Sequence, residues 1–407
     1  MGRILVGIGG GIAAYKVCEL VSQWVQQGHQ VQVVLTSQAL QFVTPLTLST
    51  LSRRPAYTDA DWWQPTGRPL HIELGEWAEV MVVAPLTANL LAKVAHGLAE
   101  DLLTNTLLAS PAPVLVAPAM NATMWAQPAV QHNYQTLLAW PRFHSVGVRA
   151  GLLACDAVGP GRMAEPWEID AWVNSLLLTG GQRDLQPHRI LVTAGATREY
   201  LDPVRFLSNP ASGGMGFALA QAAQSRGARV TLIHAHVTQP VPQVTQVIRV
   251  GSAQEMATAV RDLFPDHDWC LMAAAVGDVQ PATYHATKLP KQALPDCLPL
   301  QPTPDILQHL GQIKRPDQLL IGFAAQTGDL ETPAREKLQR KHLDAIVANP
   351  VDVPGVGFDS PDNQGLWLDR LGQRRVWPRT PKLHLAHQIL EAARELYASS
   401  CASSAVG

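Results

Sequence analysis

The sequence predicts an α/β protein built from two doubly wound, mostly parallel, Rossmann-like domains. At 407 residues the chain exceeds one ordinary core, and two domains of roughly 150–200 residues each are expected. Both halves also open alike. Arg3-Ile4-Leu5-Val6 and, far downstream, Arg189-Ile190-Leu191-Val192 are short aliphatic strands that run into glycines and then a helical pattern. Two such β-α-β openings imply two parallel sheets with right-handed crossovers.

The first strand leads through Gly7-Ile8-Gly9-Gly10-Gly11-Ile12 into a helix on which Val17, Leu20, Val21, Trp24 and Val25 recur at helical spacing. Gly28 stops that helix, and Val31 to Leu35 forms the next strand. Val80 to Ala84 and Val114 to Ala117 read as further buried strands, each ending at a proline. The polar, glycine-containing segment 178–188 is the expected boundary, with a first domain over 1–180 and a second over 188–399. In the second half a Gly-rich turn enters a helix from about Met215, Gly227 closes it, and Val230 to Ile233 is a strand. Cys270 to Val276, Leu319 to Ala324 and Ala345 to Ala348 read likewise as strands. The Pro-rich stretches 237–243 and 289–304 are expected as surface loops, and the small residues Ser399 to Gly407 as a disordered end.

Composition narrows the function. Thirty-one basic against 33 acidic residues leave a formal charge of −2, which argues against nucleic-acid or anionic-membrane binding. The five cysteines are scattered and odd in number, so a disulfide framework or zinc site is not expected and a reducing compartment fits. The apolar run Ile4 to Ala14 contains four glycines and passes into an amphipathic helix, unlike a signal peptide. No apolar stretch approaches the ~18 residues that span a membrane, so a cytoplasmic protein is expected.

In open α/β sheets ligands bind at the carboxyl ends of strands. The loops there are Gly7 to Ile12, Thr36-Ser37, Pro85 to Asn89 and Pro118 to Asn121. The first resembles a phosphate cradle, although a purely structural tight turn is an equal reading. It is no dinucleotide fingerprint, because Ile12 takes the last glycine position and Thr36-Ser37 replaces the ribose-binding acid. A mononucleotide fits better. His71 offers a base or hydrogen-bonding acid, Asn121 a carboxylate anchor or helix cap, and Cys155 a thiol before a Gly-Pro-Gly flap. Each alone has a common structural explanation.

Together the strings GGIAAYK, HIELGEWAEVMVVAPLTANL, APAMNATM and GPGRMAEP resemble the homo-oligomeric flavin-containing cysteine decarboxylases, over nearly all of residues 1–175. The resemblance implies FMN held by Gly10, Gly11, Ile12, Thr36, Thr87 and Asn89. It also implies that His71 assists oxidation and decarboxylation, Asn121 binds the departing carboxylate, and Cys155 donates a proton when the flavin's electrons return. Gly9 stands where the family has a serine beside the phosphate, and Asp156-Ala157 replaces Gly-Asp or Gly-Glu after the cysteine.

The second half carries glycines before a helix but no G-K-[ST], which excludes a P-loop. Its basic residues gather at Lys288 and Lys291, then Lys337, Arg340 and Lys341; Lys337 and Lys341 share a helix face. Such a face suits solvent or a triphosphate clamp. TAGATREYLDPVRFLSN, MAAAVGDV, IGFAAQT and REKLQRKHLDAIVAN resemble the phosphopantothenate–cysteine ligase domain over about 188–395. That resemblance implies CTP at Asp278, Lys288, Thr303, Pro304, Asp305, Ile306, Phe323, Lys337 and Lys341. It places an acyl-cytidylate at Asn209, a chemical role on Lys288, and magnesium with the nucleotide. Ala196, Gly214, Pro290, Thr303 and Gln326 depart from the family's proline, lysine, lysine, asparagine and glutamate.

The resemblances imply a bifunctional enzyme of coenzyme A synthesis and a homo-oligomer, acting on small molecules with neither nucleic acid nor membrane as partner. The alternatives are a flavin-binding regulatory subunit and a decarboxylase of peptides ending in cysteine with a degenerate ligase half.

Overall fold

The computed structural model of the chain describes residues 1–65, 67–152, 158–294, 296–357 and 360–404. It divides into two compact units, Met1–Arg183 and Asp184–Gly407.

In the first unit, β1 (Arg3–Ile8), α1 (Ala14–Gln26), β2 (Gln30–Leu35), α2 (Pro45–Ser52) and β3 (Ala56–Tyr57) form one wing. The other wing holds α3 (Leu70–Trp77), β4 (Val80–Leu86), α4 (Ala88–Ala95), α5 (Leu102–Ala109), β5 (Val114–Pro118), α6 (Ala122–Trp125), α7 (Pro128–Leu138) and β6 (Phe143–Ser145). A hairpin, β7 (Val148–Leu152) and β8 (Val158–Met163), precedes α8 (Pro166–Thr179). The six-stranded sheet runs β3-β2-β1-β4-β5-β6 with every pairing parallel. Alternate strand residues point to opposite faces, so each central strand feeds two cores. Ile4, Val6 and Ile8 pack with Val17, Leu20 and Trp24 of α1 and with α8. Leu5, Met81 and Val83 pack with residues of α3, α4 and α5 on the other face. The strand order reverses between β1 and β4, which opens a crevice at their carboxyl ends.

The second unit begins with β9 (Arg189–Ala194), β10 (Arg198–Tyr200), β11 (Phe206–Ser208), α9 (Gly214–Ser225), β12 (Arg229–His234) and β13 (Gln246–Arg249). Then come α10 (Ala253–Leu263), β14 (Trp269–Met272), β15 (Val279–Pro281), β16 (Leu300–Pro302), α11 (Ile306–Ile313) and β17 (Leu319–Gln326). The unit closes with α12 (Glu331–Arg340), β18 (Ala345–Pro350), β19 (Asp362–Asp369), β20 (Arg374–Pro381) and α13 (Lys382–Ser404). Its eight-stranded sheet runs β13-β12-β9-β14-β17-β18-β19-β20 and is parallel up to β18, after which β19 and β20 are antiparallel. Helices α9 and α13 cover one face around Trp269 and Trp367. The other face packs on α10, α11 and α12.

Four expectations are corrected. Strand β4 does not stop before Pro85 but continues to Leu86, with a register irregularity after Val83. Strand β14 ends at Met272 rather than Val276, because Ala274 N–H turns to Thr193 Oγ1 and Ala275 N–H to the Gly195 carbonyl. The stretch 289–304 is not all loop, since 300–302 forms β16 antiparallel to β15. The chain end is helical to Ser404, anchored upstream by buried Leu385, Ile389 and Leu396, and its alanines favour the helix.

Arg226, only 3% exposed, joins the start of this unit to its last helix. Its Nε donates to Asp184 Oδ1 at 2.8 Å and its Nη2 to Glu391 Oε2 at 2.8 Å. Arg394 also pairs with Asp184 and Glu391, but Arg226 is the buried member of the set, and removing it takes away the charge that both carboxylates were folded around. Arg226→Met is therefore expected to lower the stability of the second unit by about 3 kcal/mol in urea unfolding, with little change in the first unit's transition.

Candidate active sites

At the crevice of the first unit the loop Gly9–Gly11 lies between the residues that follow β2 and the end of β4. A Cβ on Gly9 would sit 2.4 Å from the Pro85 carbonyl oxygen, and one on Gly10 would sit 2.3 Å from Gln38 Cβ. At Gly11 the nearest atoms are Pro85 Cγ at 3.6 Å and Thr87 Cγ2 at 3.7 Å. The amino end of α1, behind Ala13, carries no side-chain cap. A glycine loop running into an uncapped helix start suits one phosphate. Ile12 is exposed. The Thr36 hydroxyl donates to Ile8 O at 3.1 Å and accepts from Ala39 N at 3.3 Å, so it fixes the turn after β2. Thr87 caps α4 by accepting from Leu90 N, and Asn89 is exposed on the first turn of that helix.

Asn121 is the N-cap of α6, its Oδ1 accepting from Thr123 N at 2.8 Å. The hairpin β7–β8 packs directly on this loop. Met120 N donates to Gly161 O at 3.0 Å, and Gly161, at φ +144°, comes so close that a Cβ would lie 2.2 Å from Met120 O. Ion pairs hold the hairpin's base. Arg149 on β7 binds Glu168 through two bonds, and Glu168 is buried. Glu165 accepts from Arg162 of β8 at 3.0 Å and from Lys16 of α1 at 2.8 Å, tying the hairpin to the cradle helix. Cys155, with Asp156-Ala157, lies outside the described residues. His71 is the second residue of α3, half-buried, with Nδ1 accepting from Trp62 Nε1 at 3.2 Å.

The second unit's crevice gathers residues from five segments. Asn209 Nδ2 donates to the carbonyls of Ala275 and Val276 at 3.4 and 3.5 Å. Thr303 N donates to Asp278 O at 3.1 Å and its hydroxyl to Gly277 O, so threonine at this position braces the Asp278 loop. Asp305 caps α11 and accepts from Lys341 Nζ at 2.9 Å. Burial opposes the Asp305 charge, but Lys341 and the Gln308 N–H outweigh it and hold the carboxyl below the usual carboxylate range. Lys337 Nζ donates to Phe323 O at 3.0 Å. Burial, reinforced by the Lys341 charge, pushes the Lys337 ammonium down to about 8 against the pull of Asp278 and Asp305. Pro304 is half-buried beside them, whereas the Ile306 side chain is in the core and offers the crevice only backbone.

Lys288 is exposed on a loop between β15 and β16. Its anchor is Asp202, which accepts from Leu289 N at 3.2 Å and pairs with Arg205, whose Nη2 also donates to Leu289 O. Burial works against the Asp202 charge, yet Arg205 and three backbone N–H groups hold its carboxyl far below the usual range. The acid–base spacing in Asp202-Pro203-Val204-Arg205 was the available signal. Pro290 starts the short turn Lys291–Ala293 in the same loop. Ala196 donates its N–H to His236 O at 2.9 Å, a bond that the family's proline lacks. At Gly214 a Cβ would stand 3.5 Å from Lys382 Nζ, so an ammonium is present beside the position of the missing lysine. Gln326 ends β17, its carbonyl accepting from Val351 N.

Two α/β units, each with a crevice at the carboxyl ends of its parallel strands, place the chain in the class of two-domain Rossmann-like proteins. Residues 1–178 match the family model Flavoprotein, and residues 185–396 match the DNA/pantothenate metabolism flavoprotein C-terminal domain. The chain is 42% identical over 390 residues to the coenzyme A biosynthesis bifunctional protein CoaBC of Bacillus subtilis, covering 96% of each chain. It is 40% identical over 398 residues to the protein of that description in Escherichia coli, again covering 96% of each. A solved C-terminal domain of CoaBC is 35% identical and covers 53% of this chain and 98% of that one, at a TM-score of 0.46. The chain belongs to this family of bifunctional, flavoprotein-type enzymes of coenzyme A biosynthesis.

The family serine at position 9 does not fit here, because its Cβ would meet the backbone carbonyl of Pro85. Gly9→Ser is expected to lower bound flavin and to destabilise the first unit by roughly 1–3 kcal/mol. The flavin-to-protein absorbance ratio and a melting curve check this; full flavin loading with an unchanged melt would contradict it.

Proposed function

We propose that the second unit joins phosphopantothenate to cysteine through an acyl-cytidylate made from CTP, and that the first unit decarboxylates the product to phosphopantetheine. The observation that carries this reading is the alignment of bifunctional relatives along 96% of the chain, with both crevices inside it. The same coverage sets aside the peptide decarboxylase and the regulatory subunit.

The cradle fits FMN, whose single phosphate would rest on Gly9 to Gly11 and the start of α1, near Thr36 and Thr87. Bound there, FMN would supply a reversible two-electron redox partner for the substrate's thiol-bearing carbon. Asn121, whose Oδ1 accepts the capping bond from Thr123 N–H, binds the departing carboxylate, a role that rests on the sequence resemblance. His71 supplies a hydrogen-bonding imidazole to the same substrate. Cys155 donates the final proton, a role that rests on the sequence resemblance. Exposed Ile12 and Tyr15 beside the cradle, with exposed Phe42 and Leu46 on the segment after β2, support a homo-oligomer.

In the second unit Lys288, Lys337 and Lys341 neutralise the triphosphate, and Lys288 also acts in the chemical step. Asp278, Thr303 to Ile306 and Phe323 shape the nucleotide site, and Asn209 holds the acyl-cytidylate. Magnesium enters with CTP as part of the substrate. Lys382 supplies positive charge beside Gly214.

Incubation with phosphopantothenate, cysteine and CTP is expected to release pyrophosphate and carbon dioxide in equal amounts. Asn121→Ala should keep pyrophosphate release and lose carbon dioxide release by at least about a hundredfold. Pyrophosphate without carbon dioxide from the unaltered protein would sink the decarboxylase; no pyrophosphate would sink the ligase.

Lys337 loses its proton as pH rises through about 8, and its pull on the phosphates goes with it. The KM for CTP should therefore climb above that pH. Lys337→Met should raise KM about tenfold at neutral pH and flatten the climb.

A further inference from the structure

Trp62 stands outside the motifs that carry the family resemblance. We propose that Trp62 is a positioning residue for His71: its indole N–H holds the imidazole in the tautomer that carries hydrogen on Nε2, so His71 meets substrate as a hydrogen-bond donor. This rests on the reading that His71 serves the decarboxylation.

The argument is one of donor inventory. An indole nitrogen only donates, and Trp62 Nε1 lies 3.2 Å from His71 Nδ1. The nitrogen that receives this bond must offer a lone pair, which places the hydrogen of a neutral ring on Nε2. For Nε2 to act as a base, Nδ1 would have to carry the hydrogen, setting two N–H donors against each other. The anionic carboxylate or thiolate of the substrate is what an Nε2–H donor recognises. The ring centroids lie 6.0 Å apart at an interplanar angle of 85°, so the two rings are not stacked and the in-plane indole N–H can be directed at Nδ1.

The indole is itself held. The short turn Asp59–Asp61 begins with a capping box between Thr58 and Asp61, and Trp62 N donates to Asp59 O at 3.3 Å. Asp59 Oδ1 accepts from Leu102 N at 2.9 Å, fastening this turn to the start of α5. Trp63 stacks on Trp62 at 4.6 Å. The donor therefore arrives on a braced segment rather than a loose loop.

The test uses the full-length flavin-loaded protein labelled with 15N-histidine, with His71→Asn identifying the His71 signals by difference. The unaltered protein is expected to show the Nε2–H pattern for His71; an Nδ1–H pattern overturns the proposal whatever the activity. Trp62→Phe keeps an aromatic ring and removes the donor. It is expected to erase the tautomer preference and lower kcat for carbon dioxide release about tenfold, with KM and flavin content within about twofold. Unchanged tautomer and kcat in that variant would also overturn it. Full activity of His71→Asn would instead defeat the catalytic reading of His71, leaving the tautomer result to stand or fall by its spectrum.

Discussion

Backbone-to-backbone approach at strand ends is the constraint on which both units depend. In the first, Gly9 lies against the Pro85 carbonyl with no room for a side chain. In the second, Gly195 lies against the His236 carbonyl, where a Cβ would sit 2.4 Å away. These contacts bring adjacent loops together at the carboxyl ends of the strands, where parallel sheets leave their crevices. A larger residue would part the loops, and the residues borne on them would no longer face one site.

Charges then brace what the glycines bring close. Glu165 links Lys16 beside the cradle to Arg162 of the hairpin, and Glu168 grips Arg149 at the hairpin's other strand. Asp202 does the equivalent work in the second unit, fastening the backbone next to Lys288 through Arg205 and Leu289 N–H. None of these pairs was predicted, because acidic and basic residues look like ordinary surface charges until folded. The departures from the family pattern become intelligible in the same way. Gly9 avoids a collision, the Ala196 N–H makes a bond proline cannot, Thr303 braces the Asp278 loop, and Lys382 stands near Gly214.

The main strands and helices were legible because hydrophobic period and glycine punctuation are local signals. Two of the misreadings share one cause. The 273–276 run is apolar and strand-like, yet its N–H groups are taken by Thr193 and Gly195 after the ladder ends. The 300–302 segment is Pro-flanked and loop-like, yet it finds a partner in 279–281. Pairing partners distant in sequence decided both.

From sequence alone came the fold class, the two openings, the cradle, and the motifs bearing Asn121, His71, Lys337 and Lys341. The fold class and openings rest on periodicity and residue type, and the motifs on their resemblance to known families, both of which a linear string displays. Tertiary structure alone decided that Thr36 spends its hydroxyl on its own turn, that Asp305 pairs with Lys341, and that Trp62 meets His71. Hydrogen-bond capacity is finite and directional, so what a polar residue can offer a ligand depends on which neighbours the fold has already given it.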